Sequence, residues 1–316
     1  MAPAGDLPRP AAPGGHPGRH DDDGEALSPL SPLSPGAFLE LTKPRITQLV
    51  LLTAAAGFYL AARGVVDLAL LAHTLLGTAL VAAGTNAWNQ VRERDVDARM
   101  QRTRRRPLPA GRLTPRAAAW FASAITIVGV AYLAALVNLL TAGLAALTFA
   151  SYVFLYTPLK RTTSLNTLIG AVPGALPIVG GWTAAGGSLN VAVAALFWIL
   201  FLWQLPHFLA LAWLYRDDYR AGGLKMLGVD DAGGRATGRL ALLYALALLP
   251  ISLAPTLLGV TGPLYFFGAL ALGLCYVAAG APLLLAATPA RAWRLFFVSI
   301  VYLPALLTLM VIDKAA

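Results

Sequence analysis

The fold is decided by residues 86–116, NAWNQVRERDVDARMQRTRRRPLPAGRLTPR, the most highly charged stretch of the chain. Long apolar runs lie on both sides of it. Asn89, Glu93 and Asp97 recur every fourth residue, so a helix here would carry all three on one face. The stretch also holds nine arginines, Arg92, Arg94, Arg99, Arg102, Arg104, Arg105, Arg106, Arg112 and Arg116. Oxygen ligands beside a cationic loop indicate a site for a divalent metal and a polyanion. The alternative is an interfacial helix end with Glu–Arg pairs, whose arginines set the orientation and contact anionic lipid headgroups.

Composition excludes an ordinary soluble protein. Only 12% of the 316 residues are charged and 58% are apolar, whereas soluble domains carry roughly 25% charged residues. The net charge of +9 is explained by cationic loops retained in the cytoplasm, so we expect no nucleic-acid partner. Cys275 is the single cysteine and excludes an internal disulfide.

Hydropathy predicts an all-α polytopic membrane protein with nine transmembrane helices around a central cavity. Residues 1–36 are rich in Pro, Gly, Ala, Asp and Ser and are predicted to form a disordered cytoplasmic tail, followed by a single domain at 37–316. The nine predicted spans are 46–62, 68–88, 116–136, 139–157, 165–185, 191–213, 238–258, 263–286 and 294–312.

The basic residues give the predicted orientation. With a cytoplasmic N-terminus, 22 of the 24 lysines and arginines fall on the cytoplasmic side. Only Arg63 and Lys314 fall on the other side. A missed span would abolish this asymmetry, so it favours nine spans with the basic loops in the cytoplasm.

Two further polar loops are predicted on the same side. The loop from Tyr156 to Asn166 contains Lys160 and Arg161, which either bind phosphate or only set the orientation. The loop that follows Tyr215 contains Asp217 and Asp218. It is either a second metal site, with Asp218 the preferred ligand, or a solvated helix end.

One predicted span contains polar residues in the sequence WQLPHF, residues 203–208. A Gln and a His inside a span are costly unless they have partners or a function. His207 is therefore either hydrogen-bonded to a neighbour or positioned to hold a ligand.

These motifs resemble those of the protoheme IX farnesyltransferases (haem O synthases), within the ubiquinone-biosynthesis-type intramembrane prenyltransferase superfamily. The resemblance covers residues 38–312 and rests on four stretches: Lys43-Pro44-Arg45, Asn89 to Pro109, Tyr156 to Asn166, and Trp203 to Tyr219. The sequence departs from the superfamily pattern twice. Glu93 stands where Asp is usual, and the second Asp-x3-Asp motif is incomplete, because Ala221 and Gly222 follow the aspartate pair.

The resemblance implies farnesyl transfer from farnesyl diphosphate to a vinyl group of haem B, with addition of water, in a bacterial inner membrane. It implies two Mg²⁺ ions, the second held more weakly, and a downstream haem A synthase as partner. The implied catalytic residues are Asn89, Glu93, Asp97, Lys160 and Arg161, and the implied metal ligands are Asn89, Glu93, Asp97, Asp217 and Asp218. Arg45, Arg102, Arg106, Tyr156 and Asn166 would bind the diphosphate, and Gln204 and His207 would position haem.

Two other functions remain open from the sequence. One is prenylation of an aromatic quinone precursor. The other is secondary transport of an anionic metabolite, because transporters also contain broken spans and internal repeats.

Overall fold

The computed structural model describes residues 34–231 and 233–315, and in these ranges the chain is helical apart from its loops and one isolated bridge, Thr261–Lys314. The prediction of an all-α fold is confirmed. The helices are α1 (Pro35–Leu41), α2 (Pro44–Ala61), α3 (Leu68–Arg99), α4 (Pro115–Leu136), α5 (Leu139–Ala150), α6 (Thr157–Leu159), α7 (Asn166–Ala184), α8 (Val191–Leu214), α9 (Arg216–Gly222), α10 (Arg235–Leu257), α11 (Pro263–Gly280) and α12 (Pro289–Ile312). A π-helical segment lies at Ser151–Tyr156 and a 3-10 turn at Ala281–Leu284.

Eight helical stretches in the described ranges are long and apolar enough to cross a membrane. They are α3, α4, the stretch Leu139–Leu159, α7, α8, α10, the stretch Pro263–Leu284 and α12. The chain is therefore an integral multi-pass membrane protein. Helix α2 coincides with the first predicted span but is not among these eight, so nine crossings and a cytoplasmic N-terminus stay predictions. Of the predicted tail, residues 1–33 lie outside the described residues, and α1 begins at Pro35.

Helix α3 extends well beyond its predicted span, which ended at residue 88. Its 32 residues correspond to about 48 Å, whereas the hydrocarbon core of a bilayer is about 30 Å thick. Asp67 begins the helix by accepting a hydrogen bond from the Leu70 N–H at 2.9 Å. The last turns, with Glu93 and Asp97, consequently project towards the membrane face.

Helices α2 and α7 approach each other closely because glycines leave room for carbonyl groups. A Cβ on Gly57 would lie 2.0 Å from the Ile178 carbonyl oxygen. A Cβ on Gly181 would lie 1.8 Å from the Ala54 carbonyl oxygen. The small residues of this region thus determine the helix spacing beside the central cavity.

The helix that begins with α5 widens into the π-helical segment Ser151–Tyr156. Such segments occur frequently at functional sites because they redirect side chains. Here the Thr157 hydroxyl donates to the Tyr152 carbonyl at 2.8 Å, and Tyr152 and Tyr156 both face cavities. The chain then continues through α6 to Lys160, which also lines the site.

Candidate functional site: a charged cavity beside an apolar one

A cavity of about 130 Å³ lies at the end of α3 and is lined by charged side chains from four segments. Asn89, Glu93 and Asp97 are all buried and all line it. The predicted helical face is therefore present. The cations of the lining are Lys43, Arg102, Arg106 and Lys160. Four cations against two carboxylates give this cavity a positive formal charge, which favours the binding of a polyanion.

Each of the three residues on the α3 face contacts a different cation. Lys43 Nζ donates to Asn89 Oδ1 at 3.0 Å, and Lys160 Nζ lies 2.9 Å from Glu93 Oε1. Arg106 Nη1 contacts both carboxylate oxygens of Asp97, at 2.8 and 2.7 Å. Metal-ligand candidates and phosphate-binding candidates thus neutralise one another in this structure.

Lys43 is a cavity residue that was not predicted, because its position before the first span indicated only orientation and the Lys43-Pro44-Arg45 motif. In the described ranges it is the single non-glycine residue with positive φ, with φ 48° and ψ 66°. Backbone strain of this kind clusters at functional sites. Burial lowers the pKa of Lys43 to about 7, and the charge of Arg106 acts in the same direction. A lysine directly before the first proline of a helix is the sequence signal that could have identified it.

The pKa of Lys160 is shifted in the opposite direction to that of Lys43. Burial alone would lower the pKa of its ammonium group, but the nearby Glu93 carboxylate outweighs burial and raises that pKa well above its ordinary value. Lys160 therefore remains charged at neutral pH, as a group that neutralises an anion must.

The side chains of this cavity suit Mg²⁺ that is shared with a substrate. In the described ranges no group of three or more His, Cys, Asp or Glu residues could hold a metal alone. Mg²⁺ is usually bound through one or two carboxylates together with phosphate oxygens, which matches Glu93, Asp97 and the amide of Asn89. Glu93 Oε1 is buried and already faces the Lys160 ammonium group at 2.9 Å, so this oxygen lies where a cation is held.

The two aspartates of the predicted second metal site do not line the cavity. Asp218 accepts hydrogen bonds from the backbone N–H groups of Gln101 and Arg102, at 3.1 and 3.2 Å. Asp217 is exposed and pairs with Arg220 at 2.8 Å. In this structure, Asp218 therefore holds the loop after α3 in place.

Three predicted diphosphate ligands line the charged cavity, namely Arg102, Arg106 and Tyr156. The Arg102 guanidinium lies over the Tyr215 ring, 4.9 Å from its centroid. Arg45 is exposed and does not line the cavity.

Two other predicted residues stabilise loops at its edge. Arg161 pairs with Asp95 on the surface at 2.7 Å, and Asn166 donates to the carbonyl oxygens of Thr163 and Lys225.

An apolar cavity of about 410 Å³ adjoins the charged one. The two share four lining residues, Tyr152, Tyr156, Phe208 and Leu211. The apolar cavity is lined by α2, α3, α5, α7, α8 and α12. Among the described residues that line it there is no Asp, Glu, Lys or Arg. A molecule with a charged head and an apolar tail would fill both cavities.

Gln204 and His207 line the apolar cavity one helical turn apart. The Gln204 amide donates to the Ala171 and Leu200 carbonyl oxygens, at 2.9 and 3.0 Å. The Nδ1 of His207 lies 2.7 Å from the Ser299 hydroxyl.

The family follows from comparison with known proteins. The model of the UbiA prenyltransferase family matches residues 50–301. The chain belongs to the UbiA prenyltransferase family. A protein named protoheme IX farnesyltransferase, from Solibacter usitatus (strain Ellin6076), is 46% identical over 286 residues, covering 88% of this chain and 98% of the relative. Another of that name, from Salinibacter ruber, is 45% identical over 276 residues, covering 87% of this chain and 98% of the relative.

Solved structures confirm the UbiA-family fold. A digeranylgeranylglyceryl phosphate synthase matches with a TM-score of 0.75 and 16% identity, covering 88% of this chain and 97% of the neighbour. A UbiA homologue from Archaeoglobus fulgidus, bound to GPP and Mg²⁺, matches with a TM-score of 0.64 and 17% identity, covering 87% and 99%. At these identities the likeness shows the shared helical architecture of the family.

Proposed function

We propose that this UbiA-family protein transfers the farnesyl group of farnesyl diphosphate to a vinyl group of haem B, with addition of water, giving haem O and diphosphate. The observation that carries the proposal is the pair of adjoining cavities, one charged and one apolar. Relatives that are 45–46% identical over most of the chain bear the name protoheme IX farnesyltransferase, which supports this acceptor.

The charged cavity would bind the diphosphate. Asn89, Glu93 and Asp97 would hold Mg²⁺, which stabilises the negative charge of a departing diphosphate. Lys43, Lys160, Arg102 and Arg106 would neutralise the remaining charge. Lys160 and Arg106 contact Glu93 and Asp97 in this structure, so diphosphate binding would redirect these cations from the carboxylates to phosphate oxygens.

The apolar cavity would hold the farnesyl chain and the reacting edge of haem B. Loss of diphosphate leaves an allylic cation, and exclusion of water protects it until the vinyl group attacks. Tyr152 and Tyr156 lie at the boundary between the two cavities. Their rings would separate the diphosphate from the forming carbon–carbon bond.

The proposed location is the inner membrane of a bacterium, with the charged cavity on the cytoplasmic side, because the loops that contribute its arginines are the basic ones. The product would pass to an enzyme that oxidises it further, and a haem A synthase is the proposed partner. Nucleic acid has no part in this proposal.

A product assay tests the function. Purified protein in detergent is supplied with haem B, farnesyl diphosphate and Mg²⁺, and haem products are separated by chromatography and identified by mass. We expect farnesylated haem in stoichiometric amount with released diphosphate, and loss of both when the metal is chelated. Absence of farnesylated haem from folded protein would refute the proposal, as would hydroxybenzoate replacing haem B as the preferred acceptor.

A further inference from the structure

Ser299 of α12 fixes the tautomer of His207. The Ser299 hydroxyl donates its hydrogen to the Phe296 carbonyl oxygen. The same oxygen lies 2.7 Å from His207 Nδ1, and because its one hydrogen is already donated, it must accept from Nδ1–H. The neutral imidazole therefore carries its hydrogen on Nδ1, which leaves Nε2 with a lone pair.

The imidazole ring is also fixed in orientation. It is stacked on Phe296, with ring centroids 4.9 Å apart, and on Trp203, with centroids 5.6 Å apart. The Trp203 indole donates to the Ser299 carbonyl oxygen at 2.8 Å, which ties α8 to α12 at this level. His207 lines the apolar cavity, and within the described residues its Nε2 has no hydrogen-bond partner.

A second acceptor lies one turn earlier on the same face of α8. Both hydrogen bonds of the Gln204 amide are donated by Nε2 to carbonyl oxygens, which can only accept. Within residues 34–231 and 233–315, Oε1 accepts no hydrogen bond, and it points towards Gly174, where a Cβ would lie only 2.2 Å away. Residues three apart on a helix are neighbours, so two acceptors without a hydrogen-bond partner in the described part of the chain adjoin in a cavity whose lining is mostly apolar.

We infer that Gln204 and His207 bind the water that completes the reaction, and that His207 Nε2 accepts its proton. This inference rests on the proposed function. A water held by these acceptors donates one hydrogen to each and presents its oxygen lone pair to the cavity.

The step is balanced without another reactant. When the haem vinyl group has attacked the farnesyl cation, the positive charge lies on the adjoining carbon of the vinyl group. The water oxygen forms a bond to that carbon, its O–H bond breaks with the electron pair kept by oxygen, and the proton moves to His207 Nε2. The imidazolium then returns the proton to solvent or to diphosphate as the products leave.

His207 is the best-suited base at this position. The other titratable residues among the described cavity lining are Tyr152 and Tyr156. A tyrosine hydroxyl is already protonated at neutral pH and therefore cannot take up the proton of the water. Tyr276, packed behind α8, donates to the Trp203 carbonyl oxygen at 2.9 Å, and Tyr302 packs against the Tyr276 ring. Neither tyrosine lines the cavity.

The test compares products rather than rates alone. His207→Asn retains a donor for Ser299 but has no base, and Gln204→Met keeps volume but has no acceptor. We expect His207→Asn to lower formation of the hydroxylated product about 10²-fold, and both variants to raise the share of farnesylated haem that is lighter by one water. Haem B affinity, measured from the Soret band, should be retained. His73→Asn is the matched control, because His73 is bonded to Tyr132 at 2.7 Å and lines neither cavity.

Ser299 is a positioning residue, and its test is a pH profile. Ser299→Ala should shift the pH at which the hydroxylated share of product falls, and Ser299→Thr should restore it. An unchanged product ratio in folded His207→Asn overturns the inference, as does loss of haem binding with an unchanged ratio. Absence of any haem product from the wild-type protein overturns the proposed function as well.

Discussion

Replacing Lys160 by Met separates what this residue does for stability from what it does for catalysis. Lys160 Nζ lies 2.9 Å from Glu93 Oε1, and the two side chains are only 12% and 8% exposed. Removing one partner of a buried ion pair costs about 3–5 kcal/mol, because the other charge stays buried and uncompensated. Lys43 and Arg106 line the same cavity, so we expect a loss near the lower end of that range.

The double variant Lys160→Met with Glu93→Gln removes both charges and should recover most of the stability. Its activity should not recover, because the diphosphate still lacks the Lys160 cation and the proposed Mg²⁺ site has also lost the charge of Glu93. By analogy with loss of one electrostatic donor, kcat should fall about 10²- to 10³-fold in the single variant, and at least as far in the double variant. Thermal unfolding in detergent measures the first quantity, and diphosphate release under saturating substrates measures the second.

Two results would refute this reasoning. If Lys160→Met retained wild-type kcat, Lys160 would not act on the diphosphate. If the double variant were as unstable as the single variant, the ion pair would not be the source of the stability loss. Lys160→Arg is the control, since it keeps the charge while changing the reach and shape of the donor.

The remaining predictions follow from the same two cavities. Asp97→Asn should abolish turnover at low Mg²⁺ while leaving expression intact, and a Mg²⁺ titration that matches wild type would contradict the assignment of Asp97 as a ligand. Arg106→Ala should lower kcat about 10²-fold or more. Arg45→Ala should have a kcat near that of the wild type, because Arg45 is exposed and outside the cavity lining. Equal losses of kcat in a steady-state assay would show that lining this cavity does not determine which arginine acts on the diphosphate. Gly174→Ala would bring a Cβ to 2.2 Å from Gln204 Oε1 and should raise the share of farnesylated haem that is lighter by one water, as Gln204→Met does. A wild-type product ratio in folded Gly174→Ala would contradict the role of this amide in holding water.

The helical face of Asn89, Glu93 and Asp97 could be predicted because it depends on spacing within one helix. The period of 3.6 residues places these three side chains together whatever the tertiary structure. The same local argument gave the apolar spans. Polar residues in an apolar span also indicated Gln204 and His207.

The identity of the cations that reach the cavity could not be read from the sequence. Lys43 and Arg45 are two residues apart, and Lys160 and Arg161 are adjacent, so the positive-inside rule assigns each pair to the same side. In each pair one member lines the cavity and the other is at the surface. Which one turns inward depends on the left-handed backbone of Lys43 and on the π-helical segment before Lys160, and neither has a hydropathy signal.

The π-helical segment also affects how this chain tolerates insertions and deletions. A π turn holds one residue more than an α turn, so deletion of one residue within Ser151–Tyr156 would let the helix close as a regular α-helix. The flanking helices would keep their places. The ring of Tyr156 now packs so closely on Gly170 that a Cβ there would lie 2.4 Å from it, and the deletion would move the ring away. The number of residues in this segment therefore determines the site independently of which residues line it. A one-residue deletion would preserve the membrane fold while removing the boundary between the two cavities.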